Sequence, residues 1–164
     1  MLYNLLTPFK DYYSIFNLLE YITFRAGAAA ILALLISFFW GPSIIRILKK
    51  NQIGEEIRSS GPKTHFKKKG TPTMGGLLII SSLLISTLLW ADLGNRYIWV
   101  CLFITSGFTI IGFLDDFHKI KYKDSKGISG RLKLLSQTIV SIIAVSFLYF
   151  SAEDSAEISL ILLF

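Results

Sequence analysis

Cysteine occurs once in this chain of 164 residues, as Cys101 inside an apolar run. A lone thiol excludes a disulfide framework and a cysteine-built metal cluster, and it reads as a small apolar residue. Charge is also scarce. Asp, Glu, Lys and Arg make up 17% of the residues, against about a quarter in soluble domains. Histidine is confined to His65 and His118, so there is no histidine-rich loop, and each reads first as a surface residue. No secretory signal is expected in the opening residues. Residues 1–20 lack a basic start, a compact apolar core and a small-residue cleavage site. They mix aromatics with Lys10, Asp11 and Glu20, which suits a short segment lying at a membrane interface.

What is abundant is apolar sequence. Hydrophobic residues reach 52% and the mean hydropathy is +0.56. Four runs carry it: AGAAAILALLISFFWGPSII over residues 26–45, MGGLLIISSLLISTLLWA over 74–91, YIWVCLFITSGFTIIGFL over 97–114 and LLSQTIVSIIAVSFLYFSA over 134–152. Each is near the length that a helix needs to cross about 30 Å of hydrocarbon. None alternates as a strand would, and an unclosed sheet cannot satisfy its backbone in lipid. The expected fold is all-α: one polytopic membrane domain over residues 1–164, with about four transmembrane helices.

The charge has a direction. Arg46, Lys49, Lys50, Arg58, Lys63, Lys67, Lys68 and Lys69 lie between the first two runs. Lys119, Lys121, Lys123, Lys126, Arg131 and Lys133 lie between the third and fourth. The link between the second and third has only Arg96, and the tail after the fourth has no basic residue. The excess of basic residues places loops 46–73 and 115–133 in the cytoplasm and both termini outside, on the periplasmic side. Basic loops also raise the question of nucleic acid, but no stacking aromatics or nucleic-acid motif accompany them. They read as a topology signal, and no nucleic-acid partner is expected.

Two helix starts and two carboxylates should therefore share one face of the membrane. In GPKTHFKKKGTPTMGG, residues 61–76, Thr71 and Pro72 form a cap and first-turn pair. Gly75 and Gly76 leave the first turn open to close approach. A helix N-terminus beside lysines suits a phosphate, although plain capping explains the same residues. In IIGFLDDFHKIKYK, residues 110–123, Asp115 and Asp116 close an apolar run. A helix C-terminus disfavours negative charge, and adjacent acids repel, so something must compensate. Lys119 is three residues from Asp116 and four from Asp115, within reach of both on a continuing helix. An ion pair needs only one acid and leaves the other over. Mg²⁺ commonly binds one or two carboxylates together with substrate phosphates, and Asp115 and Asp116 fit that pattern. Beyond them, Gly127 marks a turn, Ser129 a cap, and Lys133 and Gln137 share a helix face.

The blocks GPKTHFKKKGTPTMGG, IIGFLDDFHKIKYKDSKG and RLKLLSQ, in this order, resemble the N-terminal half of the phospho-N-acetylmuramoyl-pentapeptide transferase family. The first block is highly specific, joining Gly-Pro, His-x-x-Lys and Gly-Thr-Pro-Thr-Met-Gly-Gly at fixed spacing. The opening YYSIFNLLEYITFRA also looks like that family, so the resemblance covers essentially the whole chain.

The resemblance implies an Mg²⁺-assisted transfer of phospho-N-acetylmuramoyl-pentapeptide from its UDP derivative to undecaprenyl phosphate. The products are lipid I and UMP, for peptidoglycan synthesis, and the active side is the cytoplasmic face of the bacterial inner membrane. It implies a catalytic pair at Asp115 and Asp116, which are also the metal candidates. Lys68, Lys119 and Lys133 would hold diphosphate or uridine, with Thr73 and His65 beside them in the first block. It also implies a fold of roughly ten spans, whose later loops bring a third aspartate and a histidine-rich loop. This chain has neither, so it is expected to be an N-terminal part, inactive alone, completed by a C-terminal half or joined by a second copy. Two alternatives stay open. One is a related transferase that uses UDP-N-acetylglucosamine. The other is a non-catalytic four-span scaffold that binds the lipid carrier, in which the two acids are structural.

Overall fold

The computed structural model describes residues 1–10, 12–50, 74–122 and 127–152. Every regular element among them is helical. A short helix α1 (Leu2–Leu6) leads into two 3₁₀ segments, Thr7–Phe9 and Ser14–Glu20. Four longer helices follow: α2 (Ile22–Lys50), α3 (Gly75–Trp90), α4 (Arg96–Tyr122) and α5 (Gly130–Phe150).

Three of these are long and apolar enough to cross a bilayer. They are Ile22–Leu48, Arg96–Tyr122 and Gly130–Phe150, of 27, 27 and 21 residues. At 1.5 Å per residue, each covers about 30 Å or more. The chain is thus an all-α polytopic membrane protein. The apolar helix α3 differs. It has 16 residues and spans about 24 Å, less than the other three. It begins at Gly75, and Met74 caps it in the left-handed region at φ 69°. The Thr71–Pro72 start inferred from the sequence lies outside the described residues.

The helices pair antiparallel, and named contacts give the register. Between α2 and α3, Phe24 meets Trp90 edge-on at 6.2 Å, Ser37 meets Ser82 at 2.8 Å, and a side chain on Gly41 would touch Leu78. As numbers rise on one helix, they fall on the other. Between α4 and α5, the Arg96 guanidinium donates to the Ser151 carbonyl, Gly107 faces Val140, and Asp115 faces Lys133. A Cβ on Gly107 would sit 2.9 Å from a Val140 methyl, so the missing side chain sets how closely these two helices approach.

The interior is thin. Val100, Leu102, Ile111 and Ala144 are buried between α4 and the elements around it, and Ser82 and Ser86 are buried on α3. Large apolar side chains such as Phe38, Trp40, Leu134 and Phe150 point outward. In water such a surface would drive aggregation, whereas lipid chains solvate it without cost.

The two ends of the bundle differ in chemistry. At one end the Arg25 guanidinium stacks 4.2 Å over Tyr3, and Asn4 Oδ1 accepts from the Leu93 amide at 3.3 Å. At the other end meet the C-termini of α2 and α4 and the N-termini of α3 and α5. Asp115 and Asp116 lie there.

Candidate functional site at the basic end of the bundle

Asp115 sits on the last turns of α4 and is 6% exposed. It is the one buried charged residue among the described residues. A buried carboxylate is costly unless it is paired and hydrogen-bonded. Asp115 is both. Lys119 places its ammonium 2.8 Å from Oδ2, using the i,i+4 spacing of a helix that continues past the acids. Lys133, from the first turn of α5, reaches the same oxygen at 3.1 Å. The Ile128 amide donates to Oδ1 at 3.0 Å.

Asp116 points elsewhere, because successive helical residues diverge by about 100°. Its side chain is 35% exposed. Among the described residues its one partner is Lys119, at 3.4 Å. The two acids therefore differ sharply. Asp115 is enclosed and committed to two ammonium groups and an amide, while Asp116 keeps most of its acceptor capacity.

Local sequence explains how α5 arrives at Asp115. Gly127 takes φ +65° and turns the chain. Ser129 then caps α5, its side chain accepting from the Leu132 amide at 3.4 Å. α4 runs on past Asp115 to Tyr122, so the acid stands clear of its own helix's C-terminal dipole, and the start of α5 brings Lys133 and a positive dipole end toward it.

Comparison with known proteins finds the same likeness. Residues 68–80 match the phospho-N-acetylmuramoyl-pentapeptide-transferase signature 1. A relative from Desulfatibacillum aliphaticivorans, named phospho-N-acetylmuramoyl-pentapeptide-transferase, is 49% identical over 160 residues. That alignment covers 98% of this chain and 44% of the relative. Over nearly its whole length the chain is similar to a phospho-N-acetylmuramoyl-pentapeptide-transferase. It spans less than half the length of the relative it matches.

Of the residues that the family resemblance singled out, the structure brings four together: Asp115, Asp116, Lys119 and Lys133. Lys68, Thr73 and His65 lie outside the described residues. The lysines do not stand as open phosphate ligands, because Lys119 touches both acids and Lys133 touches Asp115. His118, one helical turn beyond Asp115, packs its ring 4.5 Å from that of Tyr122 and makes no polar contact with the acids among the described residues.

No group of three or more His, Cys, Asp or Glu side chains gathers among the described residues. Asp115 is already occupied by cations. The more exposed Asp116 carboxylate is the group with room for a divalent ion, and Mg²⁺ commonly takes one protein carboxylate together with phosphate oxygens and water.

Two participants escaped sequence reasoning. The Ile128 amide is invisible to any pattern of side chains. Gly127 carried a turn signal, but nothing local tells that its bare Cα faces a carboxylate twelve residues earlier.

Proposed function

We propose that this chain supplies the acid–lysine face of a membrane transferase. The transferase moves phospho-N-acetylmuramoyl-pentapeptide from its UDP derivative to undecaprenyl phosphate, releasing UMP and forming lipid I. The observation that supports this most is the meeting of Asp115, Asp116, Lys119 and Lys133 at the basic end of an apolar helix pair. A lipid phosphate and a soluble nucleotide sugar encounter each other at just such a boundary.

The chemistry asks for positioning and charge neutralisation more than for covalent participation. An oxygen of the lipid phosphate forms a bond to the sugar-linked phosphorus as the bond from that phosphorus to UMP breaks. Asp116 accepts any proton still held by the attacking phosphate, its exposed carboxylate being the acid within reach of a ligand. Lys119 and Lys133 turn toward anionic oxygens, which lowers the cost of crowding phosphates together. Asp115 holds the two ammonium groups at one place and orients them before substrate arrives. Mg²⁺, when bound at Asp116, supplies further neutralisation of the diphosphate. Basic residues at this end orient it toward the cytoplasm, which puts the reaction on the inner face of the bacterial cytoplasmic membrane. Lys68, Thr73 and His65, by their place in the matched first block, join the phosphate and nucleotide contacts.

The whole reaction needs sequence that the longer relative carries beyond the aligned part. The test is lipid I formation from labelled UDP-N-acetylmuramoyl-pentapeptide and undecaprenyl phosphate, in membranes holding this sequence within a full-length family chain. Activity that Asp116→Asn abolishes supports the proposal. Activity that survives loss of both acids overturns it in favour of a non-catalytic role.

A further inference from the structure

Besides its two lysine side chains, Asp115 is approached by the backbone of a segment outside its own helix. Gly127 has φ +65°, a conformation that side-chain-bearing residues rarely adopt. A Cβ built on it would lie 2.5 Å from Asp115 Oδ1, 2.8 Å from Lys119 Cε and 3.1 Å from Asp115 Cγ. The neighbouring Ile128 amide donates to the same Oδ1 at 3.0 Å. Two residues later Ser129 caps α5, which brings Lys133 to Asp115 Oδ2 at 3.1 Å.

We propose that Gly127 is a positioning residue. Its bare Cα lets the connection before α5 close onto Asp115, and that closure sets where the carboxylate, Lys119 and Lys133 meet. A side chain at 127 strains the turn and strikes Asp115 Oδ1 and the Lys119 stem together. Each can yield only by giving up a contact. Moving Oδ1 breaks the Ile128 bond, and moving the Lys119 stem lengthens its contact with Oδ2. The placement stands on geometry alone, and only its catalytic meaning rests on the proposed function.

The test reads the lysines directly, in the detergent-solubilised 164-residue chain and without turnover. The chain is treated briefly with an amine-acylating reagent, and each lysine is quantified by peptide mass spectrometry. Exposed Lys121 on the same helix serves as the internal reference. In the unaltered chain Lys119 and Lys133 react more slowly than Lys121, because their ammonium groups are held by Asp115. Gly127→Ala is expected to raise both severalfold, toward the rate of Lys121. Asp115→Ala should do the same, and adding Gly127→Ala to it should change nothing further, because the two act through one contact.

Unaltered labelling in Gly127→Ala overturns the inference, and so does a further additive rise in the double variant. Should Gly127→Ala fail to accumulate in membranes, the double variant decides. Accumulation of the double variant equal to that of Asp115→Ala supports a clash at the carboxylate, whereas a double variant lost as Gly127→Ala is lost overturns it. A chain that proves to lack any part in transfer would leave these labelling results standing. Labelling unaffected by Gly127→Ala would leave the transferase proposal intact.

Discussion

Lys133 on α5 reaches Asp115 on α4 with its ammonium 3.1 Å from Oδ2, across 18 residues of chain. The same oxygen holds Lys119 at 2.8 Å. One buried acid thus ties the end of one membrane helix to the start of the next, and one of its two cations, Lys119, also touches the adjacent Asp116 at 3.4 Å.

Removing that tie should cost stability. Asp115→Ala breaks two ion pairs and an amide bond at once, but the lysines are about a third exposed and recover some hydration. The expected loss is about 1–3 kcal/mol, below the full penalty of breaking a wholly buried pair. Asp116→Ala, which loses one 3.4 Å contact at a part-exposed site, should cost about 0.5 kcal/mol or less. Unfolding of both variants in the same detergent checks the order, and equal losses would contradict the division between the two acids.

Activity should rank them differently. In a full-length chain Asp116→Asn is expected to lower turnover by about 10²- to 10⁴-fold, the usual contribution of a positioned proton acceptor. Its unfolding midpoint should stay within error of the parent. Initial rates of UMP release, measured beside a melting curve, test the pair of expectations, and a rate loss accompanied by unfolding would count against a role in the chemistry.

The α4–α5 crossing offers a prediction free of charge effects. Gly107→Ala puts a methyl 2.9 Å from Val140 Cγ1 and should destabilise by about 1–3 kcal/mol through overpacking. Val140→Ala in the same chain makes room and should restore part of the loss. Thermal unfolding of the single and double variants provides the check.

Between α2 and α3 the Ser37–Ser82 hydrogen bond, 2.8 Å long, lies in an apolar setting. Such bonds between membrane helices average about 0.6 kcal/mol in double-mutant cycles. A cycle of Ser37→Ala and Ser82→Ala should return a coupling of that size. Ser82 also bonds the Leu78 carbonyl of its own helix at 2.5 Å, which keeps its hydroxyl satisfied when Ser37 is lost and the coupling small.

Topology can be read with one thiol at a time. In a Cys101→Ala background, Lys50→Cys and Asn95→Cys place exposed thiols at opposite ends of the bundle. An impermeant maleimide added outside intact cells should label the cysteine at 95 and spare the one at 50 until the membrane is opened. The reverse pattern would invert the orientation and move the acid–lysine site to the outer face.

Much of this molecule follows from the chain read in one dimension. Hydropathy adds up residue by residue, so the runs that became α2, α4 and α5 were legible as crossing helices. The same holds for the clustering of basic residues at one end, and for the Asp115–Lys119 and Asp116–Lys119 spacings along a continuing helix. The run over 74–91 likewise became α3, Gly75–Trp90, within one residue at each end.

What tertiary structure alone decided is the fate of each acid. Neighbours in sequence with the same chemistry, Asp115 and Asp116 part company because α5 packs against one side of α4 and not the other. Lys133 belongs to Asp115, Ile128 lends its amide and Gly127 must lack a side chain because of how two helices cross and how the turn between them closes. Contacts made across 12 to 18 residues depend on that crossing, and no local period or composition encodes it.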